Sequence, residues 1–262
     1  QFAQEVFRTK YLLRDWKAAA QAGKRLLVLA PDSPTVLIEE SLVDLWSKGD
    51  LTRLRAFLAT IPAGVDPDGE VTVARWDAAL VARDFSAAER AVADCTSETV
   101  TIVFDTPLSK GYLLGCIALA QGEPARARPL FETARAGVEA ETLAVPLDPF
   151  RHAQLGLLYA YLGRKADALR EGYRAIEILP ESKDAFSGPR VAGLLALIFA
   201  RTGELDQSIT LIERLLTTPA AVDGEGSITL SELRLRWQWD PLRENPRFQK
   251  LLAGPEPKTV YK

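Results

Sequence analysis

The chain has 262 residues, 47% of them hydrophobic and 26% charged, with 32 basic against 35 acidic side chains and a net charge of −3. That balance suits one large folded domain or two ordinary ones and excludes a disordered chain. It gives no general attraction to nucleic acid or anionic lipid, and no apolar run approaches the roughly 18 residues of a membrane span.

The amino end, QFAQEVFRTKYLLRDW, is amphipathic and lacks the charged-then-apolar shape of a signal peptide. The chain contains no Met and opens inside a helical pattern, which reads as a processed or excised piece of a longer protein. A first turn is predicted at Arg14-Asp15-Trp16, followed by Ala19, Leu26 and Pro31. A second falls at Gly49, between Leu42 and Leu45 upstream and Leu54, Leu58 and Ile61 downstream. Arg83-Asp84-Phe85, with Ala88 after it, repeats the Arg-Asp form. Gly122 has Leu114, Gly115 and Ala118 before it and Ala127, Phe131 and Ala134 after it. Gly163 stands between Leu155, Gly156 and Tyr159 and then Ala168, Ala175 and Pro180. Gly203 stands between Leu195, Ala196 and Phe199 and then Ser208, Ile212 and Leu215.

Each set places a helix on either side of its turn, with small residues where the two approach. The turns at 14, 49, 83, 122, 163 and 203 are separated by 35, 34, 39, 41 and 40 residues, so six hairpins run in register. Ser33-Pro34, Thr106-Pro107, Asp148-Pro149 and Gly188-Pro189 are predicted helix starts. The longer spacings imply extended loops or lengthened helices around TSETVTIVFDT and AGVEAETLAVPLD, with a short strand near Val100 to Phe104.

After Pro219 the composition changes, and AAVDGEGS reads as a flexible acidic loop. Asp240-Pro241 and Asn245-Pro246 read as helix starts, and Trp237, Trp239 and Phe248 suit the cover that a final hairpin needs. Residues 1–219 are thus expected to form the repeats, and residues 220–262 a linker and capping segment.

The stretches LGLLYAYLGRKADALREGYRAIEILP and LLGCIALAQGEPARARPLFETA resemble tetratricopeptide repeats, and the pattern extends more loosely over residues 1 to 216. The resemblance implies an all-α fold: a right-handed α-α superhelix, or solenoid, of about six hairpins with a carboxyl-terminal helical cap. The tail resembles those closing the repeat regions of bacterial multidomain regulatory and signalling proteins. The implied function is a protein-interaction scaffold, not an enzyme.

Catalytic motifs are scarce. His152 is the only histidine and sits where a hairpin normally packs against its predecessor, with no nucleophile tied to it by a motif. An enzyme with a small site around His152 remains the rival reading. Cys95 and Cys116 cannot build a disulfide framework or a zinc site alone and are expected to be reduced, buried thiols, which favours the cytoplasm. DGEGS lacks the preceding strand and following Lys-Ser/Thr of a phosphate loop. Arg234, Arg236, Arg243 and Arg247 are interleaved with Trp237 and Trp239 but diluted by Glu232, Asp240 and Glu244, so a nucleic-acid surface is disfavoured. No cofactor, metal or membrane is expected.

In stacked hairpins the first helix of each unit lines the concave side. Positions ten, six and three residues before each turn face the groove by helical periodicity. They include Tyr11, Glu39, Trp46, Asp77, Leu80, Tyr112, Leu119 and Leu157, with Gly193 in the last unit. Trp46, Leu80, Tyr112 and Leu119 are expected to form the apolar contact with a partner protein or peptide, such as an amphipathic helix. Two other occupants suit the same surface, the chain's own tail and a second copy of the chain, and an apolar groove also suits a small-molecule sensor.

Overall fold

The computed structural model describes residues 2–62, 66, 69–101, 107–222 and 224–260. Over these the fold is all-α apart from one small ribbon. Six helix pairs follow one another: α1 (Phe2–Leu12) with α2 (Trp16–Leu29), α3 (Pro34–Lys48) with α4 (Thr52–Leu58), and α5 (Glu70–Val81) with α6 (Phe85–Asp94). The second half continues with α7 (Lys110–Ala120) and α8 (Pro124–Ala144), α9 (Pro149–Tyr161) and α10 (Lys165–Ile178), and α11 (Gly188–Thr202) and α12 (Leu205–Leu215). From α1 to α12 every helix packs against the next in sequence. In addition α3 touches α5, α5 touches α7, and α9 touches α11.

The six turns share one backbone feature. Arg14, Gly49, Arg83, Gly122, Gly163 and Gly203 all have positive φ, between 57° and 84°. A left-handed residue ends the first helix and redirects the chain, and glycine adopts it without a Cβ clash. Arg-Asp replaces glycine where the aspartate repays the strain: Asp15 accepts from the Ala18 N–H and Asp84 from the Ala87 N–H, each capping the following helix.

Ser33, Asp148 and Asn245 cap helices as their prolines suggest. Two expected starts differ. Pro107 belongs to an antiparallel ribbon of β1 (Thr99–Thr101) and β2 (Pro107–Ser109), and α7 begins later, with Ser109 accepting from the Tyr112 N–H. Most of the strand expected at Val100 to Phe104 lies outside the described residues. Asp240-Pro241 sits inside a 3-10 helix, Trp237–Leu242, and does not start an α-helix. The long spacing after Gly122 is taken up by α8, which runs for 21 residues.

The carboxyl-terminal segment adds α13 (Leu230–Leu235), the 3-10 helix and α14 (Pro246–Ala253). The 3-10 helix packs on α11, α14 packs on α12, and α13 reaches back to α3. Trp237, Trp239 and Phe248 are buried in the main hydrophobic cluster. No helix among the described residues is long and apolar enough to cross a membrane.

Candidate functional site

The chain's own segment after α12 packs on much of the surface expected to bind a partner. That segment starts beside the first hairpin, where the Ala220 N–H donates to the Leu12 carbonyl at 2.8 Å. Ala220 and Val222 then join Phe7, Tyr11, Val43 and Trp46 in one buried cluster. Tyr11 and Trp46 themselves lie with ring centroids 4.7 Å apart.

Beyond this, Glu225 reaches the middle hairpins. Its carboxylate accepts from the Tyr112 hydroxyl at 3.0–3.1 Å and from the Gln154 amide at 3.4 Å. Gly226 lies flat against α11: a Cβ on Gly193 would stand 2.2 Å from the Gly226 carbonyl oxygen, so only backbone fits at this contact. The Ile228 N–H returns to the Ala221 carbonyl at 2.9 Å, which closes the loop on itself. Thr229 caps α13, and the Ser227 hydroxyl bonds the Glu232 carboxylate.

Arg236 is buried and bonds two carboxylates. Its guanidinium holds Asp77 of α5 through two bonds, 2.6 and 3.0 Å, and Glu232 through a third at 2.9 Å. Burial opposes its charge, but the two carboxylates outweigh that and raise its pKa. At the first turn, Arg14 donates to the carbonyls of Leu215, Leu216 and Ile228 at 2.8–2.9 Å and meets Glu256 at 3.3 Å. One side chain at residue 14 therefore ties the first hairpin to the end of the sixth. Arg83, at the third turn, pairs with Asp240 across an exposed surface.

Among the sequence-derived groove residues, Tyr11, Trp46, Leu80, Tyr112 and Leu157 are buried, and Glu39, Asp77 and Leu119 are half-buried. Leu80, Tyr112 and Leu157 share one cluster with tail residues Ala221, Ile228 and Trp237, and Leu119 packs at its edge. The structure brings Asp77 and Tyr112 together with tail side chains. Glu39 lies on α3.

Sequence reasoning missed Glu225, Arg236 and Gln154 as groove contacts, and Arg14 as the tie. Nothing local in AAVDGEGS distinguishes a solvated loop from a seated one. The closest signal was Arg236, a charge beside Trp237.

The site is a buried polar cluster. Burial, reinforced by the nearby Glu225, pushes the Tyr112 phenol and the Cys116 thiol well above their ordinary values, so both stay protonated. Tyr161 is raised for the same reasons. Glu225 is itself pushed up to about 7, because the burial penalty exceeds the help from Tyr112, Gln154 and Arg236.

His152 lies elsewhere, with Nδ1 2.8 Å from the Glu171 carboxylate and Nε2 3.0 Å from the Pro146 carbonyl. Both nitrogens are engaged, one with α10 of the same hairpin and the other with the connection that precedes α9. Among the described residues, no group of three His, Cys, Asp or Glu side chains is placed to hold a metal ion. No protein-family model matches the chain, and no curated protein shows significant similarity to it.

Proposed function

We propose that the chain is a protein-interaction module of tetratricopeptide type: a right-handed solenoid of six hairpins with a carboxyl-terminal cap, whose concave face holds a segment of polypeptide. The segment held in cis is its own tail, and a partner would exchange with it. One observation carries this reading. Asp77 and Tyr112, both at groove positions, make directional bonds to Arg236 and Glu225 of an otherwise loop-rich segment. That is how a helical-repeat surface recognises a peptide, with charged pairs fixing register and aromatic anchors giving area.

The same contacts define the partner's chemistry: an arginine for Asp77, a carboxyl or other acceptor for Tyr112, and apolar or aromatic residues between. The occupied nitrogens of His152 support a binding role over an enzymatic one. Two free, buried thiols support a reducing cytoplasmic setting. The resemblance of the tail to those of bacterial regulatory proteins supports a scaffold within a signalling protein.

A labelled peptide of residues 224–243 tests the reading on the whole 262-residue chain. Arg236→Gln loosens the resident tail and leaves the groove intact, so the peptide is expected to bind this variant and not wild type. Adding Asp77→Asn should remove the binding. If hydrogen exchange confirms a loosened tail in Arg236→Gln and the peptide still does not bind, the groove does not recognise polypeptide.

A further inference from the structure

Residues 224–229 of the tail carry a single carboxyl into a buried site where carboxylates already outnumber guanidinium groups. Asp77 on α5 and Glu232 on α13 share Arg236, which bonds both. Among the described residues Glu225 bonds no guanidinium and relies on the Tyr112 hydroxyl and the Gln154 amide, with Arg236 acting on it only through space. Its other ionisable neighbours are Cys116 on α7 and Tyr161 on α9, with Arg201 of α11 acting on those two. Against α11 the Gly226 backbone packs on Gly193.

We propose that residues 224–229 form a proton-gated plug of the groove, seated while the Glu225 carboxyl holds its proton and withdrawn when that proton is lost. The reason is electrostatic. With Arg236 shared between two carboxylates, an ionised Glu225 adds a further negative charge, with no bonded guanidinium among the described residues, to a largely buried site. A neutral carboxyl avoids that cost and can still accept from Tyr112. Withdrawal rehydrates the charge and uncovers Tyr112 and Gln154. This regulation belongs to the groove proposed above as a polypeptide-binding surface, and it rests on that reading.

Cys116, Tyr112 and Tyr161 all hold their protons to higher pH because they are buried, so near neutrality Glu225 is the member of this cluster poised to change charge. A carboxyl titrating at about 7 when seated and 4.5 when released makes the opening equilibrium pH-dependent. Between pH 5.5 and 8.5 it should rise about thirtyfold by proton linkage.

Hydrogen exchange of residues 224–229 in the full chain, corrected for the intrinsic pH dependence of amide exchange, measures this directly. Wild type should show the thirtyfold rise, while Glu225→Gln, which carries no charge at position 225, should rise much less. Equal pH dependence in the two proteins would overturn the plug. A carbon-13 titration of the Glu225 carboxyl in wild type needs no substitution: a midpoint near 7 supports the plug, and one near 4.5 overturns it. Neither outcome depends on the peptide experiment, so a groove that binds peptide without a pH-gated tail, or the reverse, would be recognised as such.

Discussion

Arg14 and Arg83 occupy equivalent turns with the same φ of 57°, yet they differ in what their side chains do. Arg14 is buried and spreads its guanidinium over three carbonyls of residues 215, 216 and 228. Arg83 makes an exposed ion pair with Asp240, worth at most about 1 kcal/mol. Glycine at either position relieves roughly 1 kcal/mol of left-handed strain. Arg83→Gly is therefore expected to stay within about 1 kcal/mol of wild type in urea denaturation. Arg14→Gly should lose about 3 kcal/mol or more, because charged hydrogen bonds to buried carbonyls have no substitute there. Comparable losses in the two variants would show that the guanidinium of Arg14 does not tie the ends of the molecule together.

At the level of elements, the tail is fitted to the helices it crosses by shape as well as charge. Gly193 on α11 faces Gly226 so closely that a methyl group would require the backbone to move. Gly193→Ala should cost about 2 kcal/mol, as overpacking usually does. It should raise exchange in residues 224–229 while the helices keep their circular dichroism; unchanged exchange there would contradict the contact.

The helical hairpins were legible because each turn needs a left-handed residue at a fixed distance from small and apolar positions. Gly122, Gly163 and Gly203 carry that requirement in their identity alone. The start of α7 was not legible, since Thr106-Pro107 looks like a cap while the ribbon pairing of Pro107 moves the start to Ser109. Asp240-Pro241 misled in the same way, because proline fits a 3-10 turn as well as an α-helical one. The seated tail was least legible of all. Glu225 meets Tyr112 across 113 positions of sequence, and no local periodicity encodes such a pairing.

Taken whole, the molecule is closed by its tail, which touches every one of the six helix pairs from Leu12 to α12. Closure brings buried charge with it, and that charge sets how stability responds to pH. Folding raises the pKa of Glu225 from 4.5 to about 7, so the folded state binds more protons than the unfolded one in that window. Stability conferred by this group is full below pH 4.5 and is lost as pH rises through 7, a change of about 3 kcal/mol. Glu232 and Glu256, also raised by burial, act in the same direction. The urea midpoint of wild type should therefore fall between pH 5.5 and 8, and fall less in Glu225→Gln. A midpoint that rises over this range would contradict the assignment.

We propose the tail as an occupant of the groove, separable from the helices that form it. Native-state hydrogen exchange on the full wild-type chain, followed over increasing urea, tests it most directly. The amides of residues 224–242 are expected to open at a lower free energy than those of α9 and α11, as a unit of their own. A single common free energy for tail and helices would mean that the tail is simply part of the core, and that no groove exists to be vacated.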